Sequence, residues 1–548
     1  MRVLLIDFFQ YGSAVAQSPM IPIGLLSLAA VLKQSGHEPE IISFNYLFQT
    51  RTIKISMDPD RDYAEMARFL VDKQPSVVGF ATVSSSFHNA LILSRHVKEL
   101  DSSIKVIMGG PHASVVAERI LTSFPWVDAI CAGEAENSIV AVVEGVSGSG
   151  LECAAGAVFR CGSEIVRNPQ ATLITDLDTL PYHDYSLLPY FKDLKEIAFE
   201  SGRGCPYGCI YCSTSAYWQR SFRVKSPERV CAEIRAILAL FPERKPSINF
   251  FHDNFTTNRS QTIALCEQLK QLDITWTCNA RIDTIDVQLI RTLAEAGCKG
   301  VLIGLETGSP RMQKYLHKNL DLSVLDEITD ALLVNNIRPV ASFIFGFPAE
   351  AEEDLAMTLA TMTSLLKKGV PTKFFSLCPL VGTKIYDDNK DKLVLRDYYS
   401  NVNQFASCGL SQSLIIEHPD IFSHYYTLNG TLADSHFLLD KFVNFIVINF
   451  YFLFGATFAR LMDVFDGSLF SFYQDFIFCK GERLAECFNN KECVKGTPMA
   501  DGFWKYMLAL LTEYVADRAL TDYRFKLIAH ELGTEKEWLA NYFKSGGN

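Results

Sequence analysis

The sequence predicts an α/β protein with three folded parts: a doubly wound, Rossmann-like N-terminal domain over residues 1–170, a partial (β/α)6 barrel over 196–390, and a C-terminal helical domain over 391–548 that would cap a substrate. Three observations predict it. Short β-rich apolar runs alternate with helical spacings through residues 1–135, the alternation restarts at Glu196, and the strand signal fades after about residue 390. A length of 548 residues is also more than one hydrophobic core organises.

In the first domain, segments 2–7, 40–44, 76–81 and 105–110 read as buried parallel strands because they are nearly continuous apolar runs, with 129–133 as a fifth. Segments 22–37 and 88–100 carry helical spacing, and Gly36 supplies a stop signal for the first. Ligands of such a sheet bind beyond the carboxyl ends of its strands. Segment 156–169 predicts a hairpin turning at Cys161-Gly162-Ser163, and the Pro- and Asp-rich stretch 171–195 predicts a linker. The second series places strands at 196–201, 247–252, 275–280, 300–306, 339–346 and 373–379. A helix over 227–241 follows the first of them, capped by Ser226 and started by Pro227. Six such units make an open barrel whose site lies at the strand C-terminal ends.

With 48% hydrophobic and 21% charged residues the chain is globular, and its formal charge of −11 disfavours a phosphate backbone as partner, so no nucleic acid is expected. The segment "MRVLLIDFFQYGS" lacks the long apolar region and cleavage site of a secretory signal, and fifteen cysteines show no pairing rhythm. A cytoplasmic protein is expected. The uncharged run 442–459 sits at the lower limit of a membrane span, but Asn444, Asn449 and Gly455 interrupt it. A buried or cavity-lining helix is the expectation there, ahead of membrane association.

The stretch "GRGCPYGCIYCS" (202–213) sets Cys205, Cys209 and Cys212 in a C-x3-C-x2-C array with Tyr211 before the last thiol. Three thiolates can hold a [4Fe–4S] cluster while leaving one iron open to a small molecule. The alternatives are a zinc site or reactive thiols, and zinc in structural sites wants a fourth ligand that does not stand nearby. Cys479, Cys487 and Cys493 match no cluster spacing and read as ordinary thiols.

On this array, at the end of the first strand of a partial barrel, the sequence resembles the radical S-adenosylmethionine (SAM) superfamily. The resemblance implies that SAM chelates the open iron and that the reduced cluster cleaves it to a 5′-deoxyadenosyl radical, with the electron supplied by an external flavodoxin- or ferredoxin-type donor. It also implies SAM contacts for Tyr211, for Asp253 in "FHDNFT", for Arg281 in "NARID", for Glu306 in "GLETGS" and for Phe347 in "FIFGFP".

The first domain is similar to cobalamin-binding domains, which carry D-x-H-x-x-G after the first strand, a hydroxylated loop after the third and glycines after the fourth. Here Asp7 and Gly12 keep that spacing, with Phe9 where the cobalt-binding His would stand. Thr82, Ser84 and Ser85 supply the hydroxyl loop, Gly109, Gly110 and Pro111 open "GGPHAS", and Glu134 lies in "AGEAEN". Over roughly residues 1–390 the chain resembles the B12-binding radical SAM enzymes that include the anaerobic Mg-protoporphyrin monomethyl ester cyclase and cobalamin-dependent methyltransferases. Phe9 cannot ligate cobalt, so a lower face without a nitrogen ligand is expected, and His112 is expected to pack in its loop. The related tRNA methylthiotransferases place three more cluster cysteines in the N-terminal domain; here the first cysteine is Cys131.

The implied activity is methylation of an unactivated carbon in a small molecule or peptide, through the 5′-deoxyadenosyl radical and methylcobalamin. A cyclisation or rearrangement without net methyl transfer is the alternative within enzymes, and a sensor of cobalamin or SAM the alternative outside them. The aromatic residues of the C-terminal part, Trp504 and Tyr506 among them, suggest an apolar or aromatic substrate.

Overall fold

The computed structural model describes residues 1–9, 11, 19–56, 58–395, 409–429, 439, 442–447, 457–489, 501–519 and 528. In the N-terminal sheet β1 (Arg2–Ile6), β2 (Glu38–Ile42), β3 (Val77–Ala81), β4 (Lys105–Gly109) and β5 (Ala129–Cys131) run parallel. An antiparallel hairpin, β6 (Ala157–Cys161) and β7 (Glu164–Arg167), completes the edge. The order is β2-β1-β3-β4-β5-β6-β7, which reverses direction between β1 and β3. At such a switch point the loops leave a crevice beyond the strand ends, and the segments after β1 and β3 border it. The apolar side chains of β1, β3 and β4 are buried because helices cover parallel sheets on both faces. Those helices include Ile23–Gln34, Pro59–Val71 and Phe87–Leu100. The hairpin turns where the sequence predicts, with Cys161 opposite Glu164 and Gly162 at φ +63°.

The linker carries three short turns, Leu177–Thr179, Tyr185–Leu187 and Phe191–Asp193, of which the first two are capped by the side chains of Asp176 and Asp184. The barrel strands follow: β8 (Glu196–Phe199), then a small antiparallel pair of β9 (Gly202–Arg203) and β10 (Arg223–Val224), then β11 (Ser247–Phe250), β12 (Trp276–Ala280), β13 (Cys298–Glu306), β14 (Arg338–Phe345) and β15 (Thr372–Ser376). The six-stranded sheet has the order β15-β14-β13-β12-β11-β8. All six expected strands are present. Helix Pro227–Ala239 begins as predicted, the Ser226 hydroxyl accepting the Arg229 N–H at 3.1 Å.

The described chain forms two compact units: Met1–Val301 with Asp330–Ile337 and Cys378–Thr427, and Leu302–Thr329 with Arg338–Leu377 and Leu428–Asn548. In the first, the segment after the barrel returns to the N-terminal domain, where Ile415, Ile421, Phe422, Tyr425 and Tyr426 join the core built around Leu4, Ile6, Phe80 and Phe87. A short two-stranded sheet of β16 (Leu393–Leu395) and β17 (Tyr426–Leu428) corrects the expectation that strands end near residue 390. These runs are three residues long, too short to show a periodicity.

In the second unit, helices Leu469–Asn489 and Asp501–Ala519 pack through Tyr514, whose hydroxyl donates to Asp475 at 2.6 Å, and through Lys480, which reaches Glu513 at 3.0 Å and Asp517 at 2.7 Å. Among the described residues no helix is long and apolar enough to cross a membrane. Residues 448–456 of the run 442–459 lie outside the described residues, as do Gly12, Cys493 and the side chains of Cys487, Trp504 and Tyr506.

Candidate active site

The cysteine loop leaves β9, and contact requires a glycine at position 204. Gly204 has φ +88°, and a Cβ there would collide with the Ser221 carbonyl oxygen; one at Gly208 would meet the Arg220 guanidinium at 3.2 Å. Cys205, Cys209 and Cys212 all have intermediate exposure. Burial pushes the Cys205 thiol up to about 11, with Cys212, Asp253 and Cys209 near enough to act on its charge. Among the described residues no three His, Cys, Asp or Glu side chains converge as single-ion ligands. A cubane cluster asks for something else, since each thiolate binds a separate iron. Three thiols on one partly open loop, with Cys209 and Cys212 near enough to act on the Cys205 charge, fit that group.

Around the loop the structure gathers two of the expected SAM residues. Asp253, in the loop just after β11, accepts the Gly204 N–H, and burial of its carboxyl raises its pKa. Arg281, just after β12, lies 3.7 Å above the Tyr207 ring, inside the cysteine array, and is fixed by Asp283 through bonds of 2.9 and 2.7 Å. Tyr211 is half-buried in the same loop.

The other two belong to the second unit. Glu306 ends β13 at φ +64°, a left-handed conformation that costs a non-glycine residue about 1–3 kcal/mol. Its carboxylate meets buried Lys318 at 2.6 Å. Phe347 is fully buried after Gly346, whose N–H donates to Glu350 at 2.6 Å. Burial pushes Glu350 up to about 8, and its Oε1 is buried without a hydrogen-bond partner.

At the ends of the N-terminal strands the expectations divide. Thr82 donates to the Gly109 carbonyl at 2.8 Å and accepts from the Ala113 N–H at 3.0 Å, tying the third loop to the fourth. Gly110 has φ +98°, and a Cβ would stand 2.7 Å from the Thr82 oxygen. Gly109, Pro111, Ser84 and Ser85 keep accessible surface at this edge, the kind of close backbone cradle that admits a flat corrin. Asp7 is buried; desolvation raises its carboxyl to about 8 against one opposing bond from the Phe8 N–H.

Two residues are used differently from the expectation of cobalamin contact. The Phe9 ring is buried in the core, 5.1 Å from the ring of Phe44. An aromatic at that position gains more from apolar packing than from the crevice. Glu134 is consumed by an ion network: Arg203 at 2.6 Å, Arg223 at 2.7 Å, and the Ile174 N–H at 2.7 Å. Arg203 also binds Glu136 at 2.6 Å and Glu200 at 2.9 Å. Burial raises the Glu136 carboxyl, but Arg203 outweighs it and leaves the group below the usual carboxylate range. Trp218 covers both guanidinium groups at 5.8 and 5.4 Å.

Sequence reasoning missed Tyr207, Arg203, Arg223, Lys318 and Glu350. Arg203 stands inside the quoted cysteine stretch and "AGEAEN" is conspicuously acidic, so opposite charges at two strand ends were the available signal. Lys318 carried none, since nothing in its spacing from Glu306 marks a pair.

Residues 12–143 match the B12 binding domain and residues 199–362 the Radical SAM superfamily. The chain is 27% identical over 374 residues to an uncharacterized methyltransferase of Pyrococcus horikoshii, covering 67% of this chain and 78% of that one. It is 26% identical over 377 residues to the anaerobic magnesium-protoporphyrin IX monomethyl ester cyclase of Rubrivivax gelatinosus, covering 65% of each. The fold is similar to that of the cobalamin-dependent S-adenosylmethionine radical enzyme OxsB, solved with aqua-cobalamin bound, with a TM-score of 0.61 at 15% identity over 98% of this chain and 80% of that one.

Proposed function

As a radical SAM enzyme with an N-terminal B12-binding domain, this chain, we infer, methylates an unactivated carbon of a small molecule or peptide. When bound, the cluster and the corrinoid supply an electron for SAM cleavage and a transferable methyl group. The single observation that carries the reading is the network of Arg203 with Glu134 and Glu136. It ties the strand that feeds the cysteine loop to the loop after β5, so residues suited to the cluster and residues suited to the corrinoid sit in one unit.

The chain's own groups divide the work. Cys205, Cys209 and Cys212 would hold the cluster, and Asp253 would take the amino group of SAM. Arg281, anchored by Asp283, would face the SAM carboxylate or brace the loop through Tyr207. Glu306 and Phe347 are proposed for ribose and adenine. Gly109, Gly110, Pro111, Ser84 and Ser85 would border the corrin, and buried Asp7, protonated at neutral pH, would donate a hydrogen bond there. The electron is proposed to come from an external flavodoxin- or ferredoxin-type donor, in the reducing cytoplasm that the free thiols suit.

The test is anaerobic turnover with SAM labelled in its methyl group. Wild type should form 5′-deoxyadenosine on reduction and Cys209→Ala none, at least a hundredfold less; 5′-deoxyadenosine retained in the variant would sink the cluster assignment. The similarity to the cyclase keeps a second reading, cyclisation without net methyl transfer. That reading predicts a product free of the label.

A further inference from the structure

Three imidazoles meet at the carboxyl ends of β3 and β4. His88 stands in the first turn of the helix after β3, His112 follows Gly109-Gly110-Pro111, and His424 comes from the segment that returns to this domain after the barrel. All are buried, at 2%, 7% and 2% exposure. The segment is seated firmly: the Tyr425 hydroxyl lies 2.9 Å from both the Ser85 carbonyl and His88 Nδ1, the Ser423 hydroxyl donates to the Pro379 carbonyl at 2.6 Å, and Phe422 packs 5.7 Å from Phe87.

The hydrogen bonding is incomplete where His112 faces His424. His112 Nδ1 pairs with the Ser84 hydroxyl at 3.0 Å, but its Nε2 is buried without a partner, and so are both ring nitrogens of His424. The rings stand 6.1 Å apart and nearly perpendicular, out of direct hydrogen-bond contact. A buried nitrogen left unmatched is destabilising, so an occupant that matches them is favoured.

The donor set says what kind of occupant. Burial, and for His424 the neighbouring His112 and His88, hold these rings neutral. A neutral imidazole offers one N–H and one bare nitrogen. An anion would want cations, and among the described residues no Lys or Arg acts on the charge of the three rings. A carboxamide, with a carbonyl acceptor and an N–H donor on one carbon, matches the set, and a corrinoid carries such groups around its ring and one more where its nucleotide tail is joined.

We propose that His112 and His424 form a carboxamide-binding subsite, holding an amide of the bound corrinoid between the end of β4 and the returning segment 423–425. This rests on the cobalamin reading above. The test is corrinoid affinity of the full chain by absorbance titration, without turnover, for wild type, His112→Phe, His424→Phe and His424→Gln. Each Phe variant should bind cobalamin about tenfold or more weakly, and Gln, which keeps a donor and an acceptor, should recover most of the loss. Repeating the titration with cobyric acid, which lacks the tail-joining amide, identifies the source. A loss that persists assigns a ring amide, and a loss confined to cobalamin assigns the tail amide. Circular dichroism checks each variant's fold; should His112→Phe not fold, His424→Phe carries the test. Unchanged affinity in folded Phe variants overturns the subsite and means that water satisfies these nitrogens. Failure of wild type to bind either corrinoid overturns the cobalamin reading and the subsite with it.

Discussion

Asp7 shows how a single substitution changes what its neighbour does. The D-x-H-x-x-G spacing pairs an Asp with a His; here Phe9 packs into the core and Asp7 is left as a buried carboxylic acid with a pKa of about 8. In the unfolded chain its pKa is near 3.8, so between 3.8 and about 8 the folded state holds a proton that the unfolded state has lost. Stability should therefore fall as pH rises through that window and level off above it. Asp7→Asn removes this contribution: thermal midpoints of the apo protein should match wild type near pH 4 and exceed it increasingly toward pH 8. Parallel curves would show that Asp7 is not held protonated. Gly204 sets a second constraint at this scale, because its φ of +88° and the Ser221 carbonyl leave no room for a Cβ. Gly204→Ala should cost about 1–3 kcal/mol in a folded loop, read as iron content falling well below wild type after reconstitution. Full iron loading would contradict it.

At the level of elements, most of the architecture was legible because each strand of the two series is an apolar run bounded by Gly, Pro or Asp, and because caps such as Ser226 act locally. What escaped depends on distant pairing. β16 and β17 are short and meet across a long sequence gap, and the segment with Ile421, Phe422 and Tyr425 reads as one more amphipathic stretch until the N-terminal core shows what it covers. The cysteine array was readable from spacing alone. The buried network of Arg203 and Arg223 with Glu134, Glu136 and Glu200 was not, since spacing alone does not pair the acidic residues after β5 with arginines on the distant strands β9 and β10. Removing one partner of a buried ion group strands the others, at a cost of about 3–5 kcal/mol. Arg203→Met, which leaves Glu136 and Glu200 without their cation, should lower the thermal midpoint sharply and reduce cluster loading with it. A variant as stable as wild type would show that the network is dispensable.

For the molecule as a whole, two cofactors serve one catalytic protein, and the relatives bear on that pairing more than on any substrate. Similarity to a methyltransferase and to a cyclase leaves the bond-forming step to the labelling experiment. The corrinoid is the claim that separates this enzyme from a simple adenosyl-radical protein. The most direct measurement is corrinoid and iron per chain, with the absorbance spectrum, after anaerobic purification from cells supplied with cobalamin. Near-stoichiometric corrinoid is expected alongside four irons, with a spectrum lacking a nitrogen lower ligand because Phe9 holds the position of the cobalt-binding His. Intact iron with no corrinoid, or a nitrogen-ligated spectrum, would contradict it.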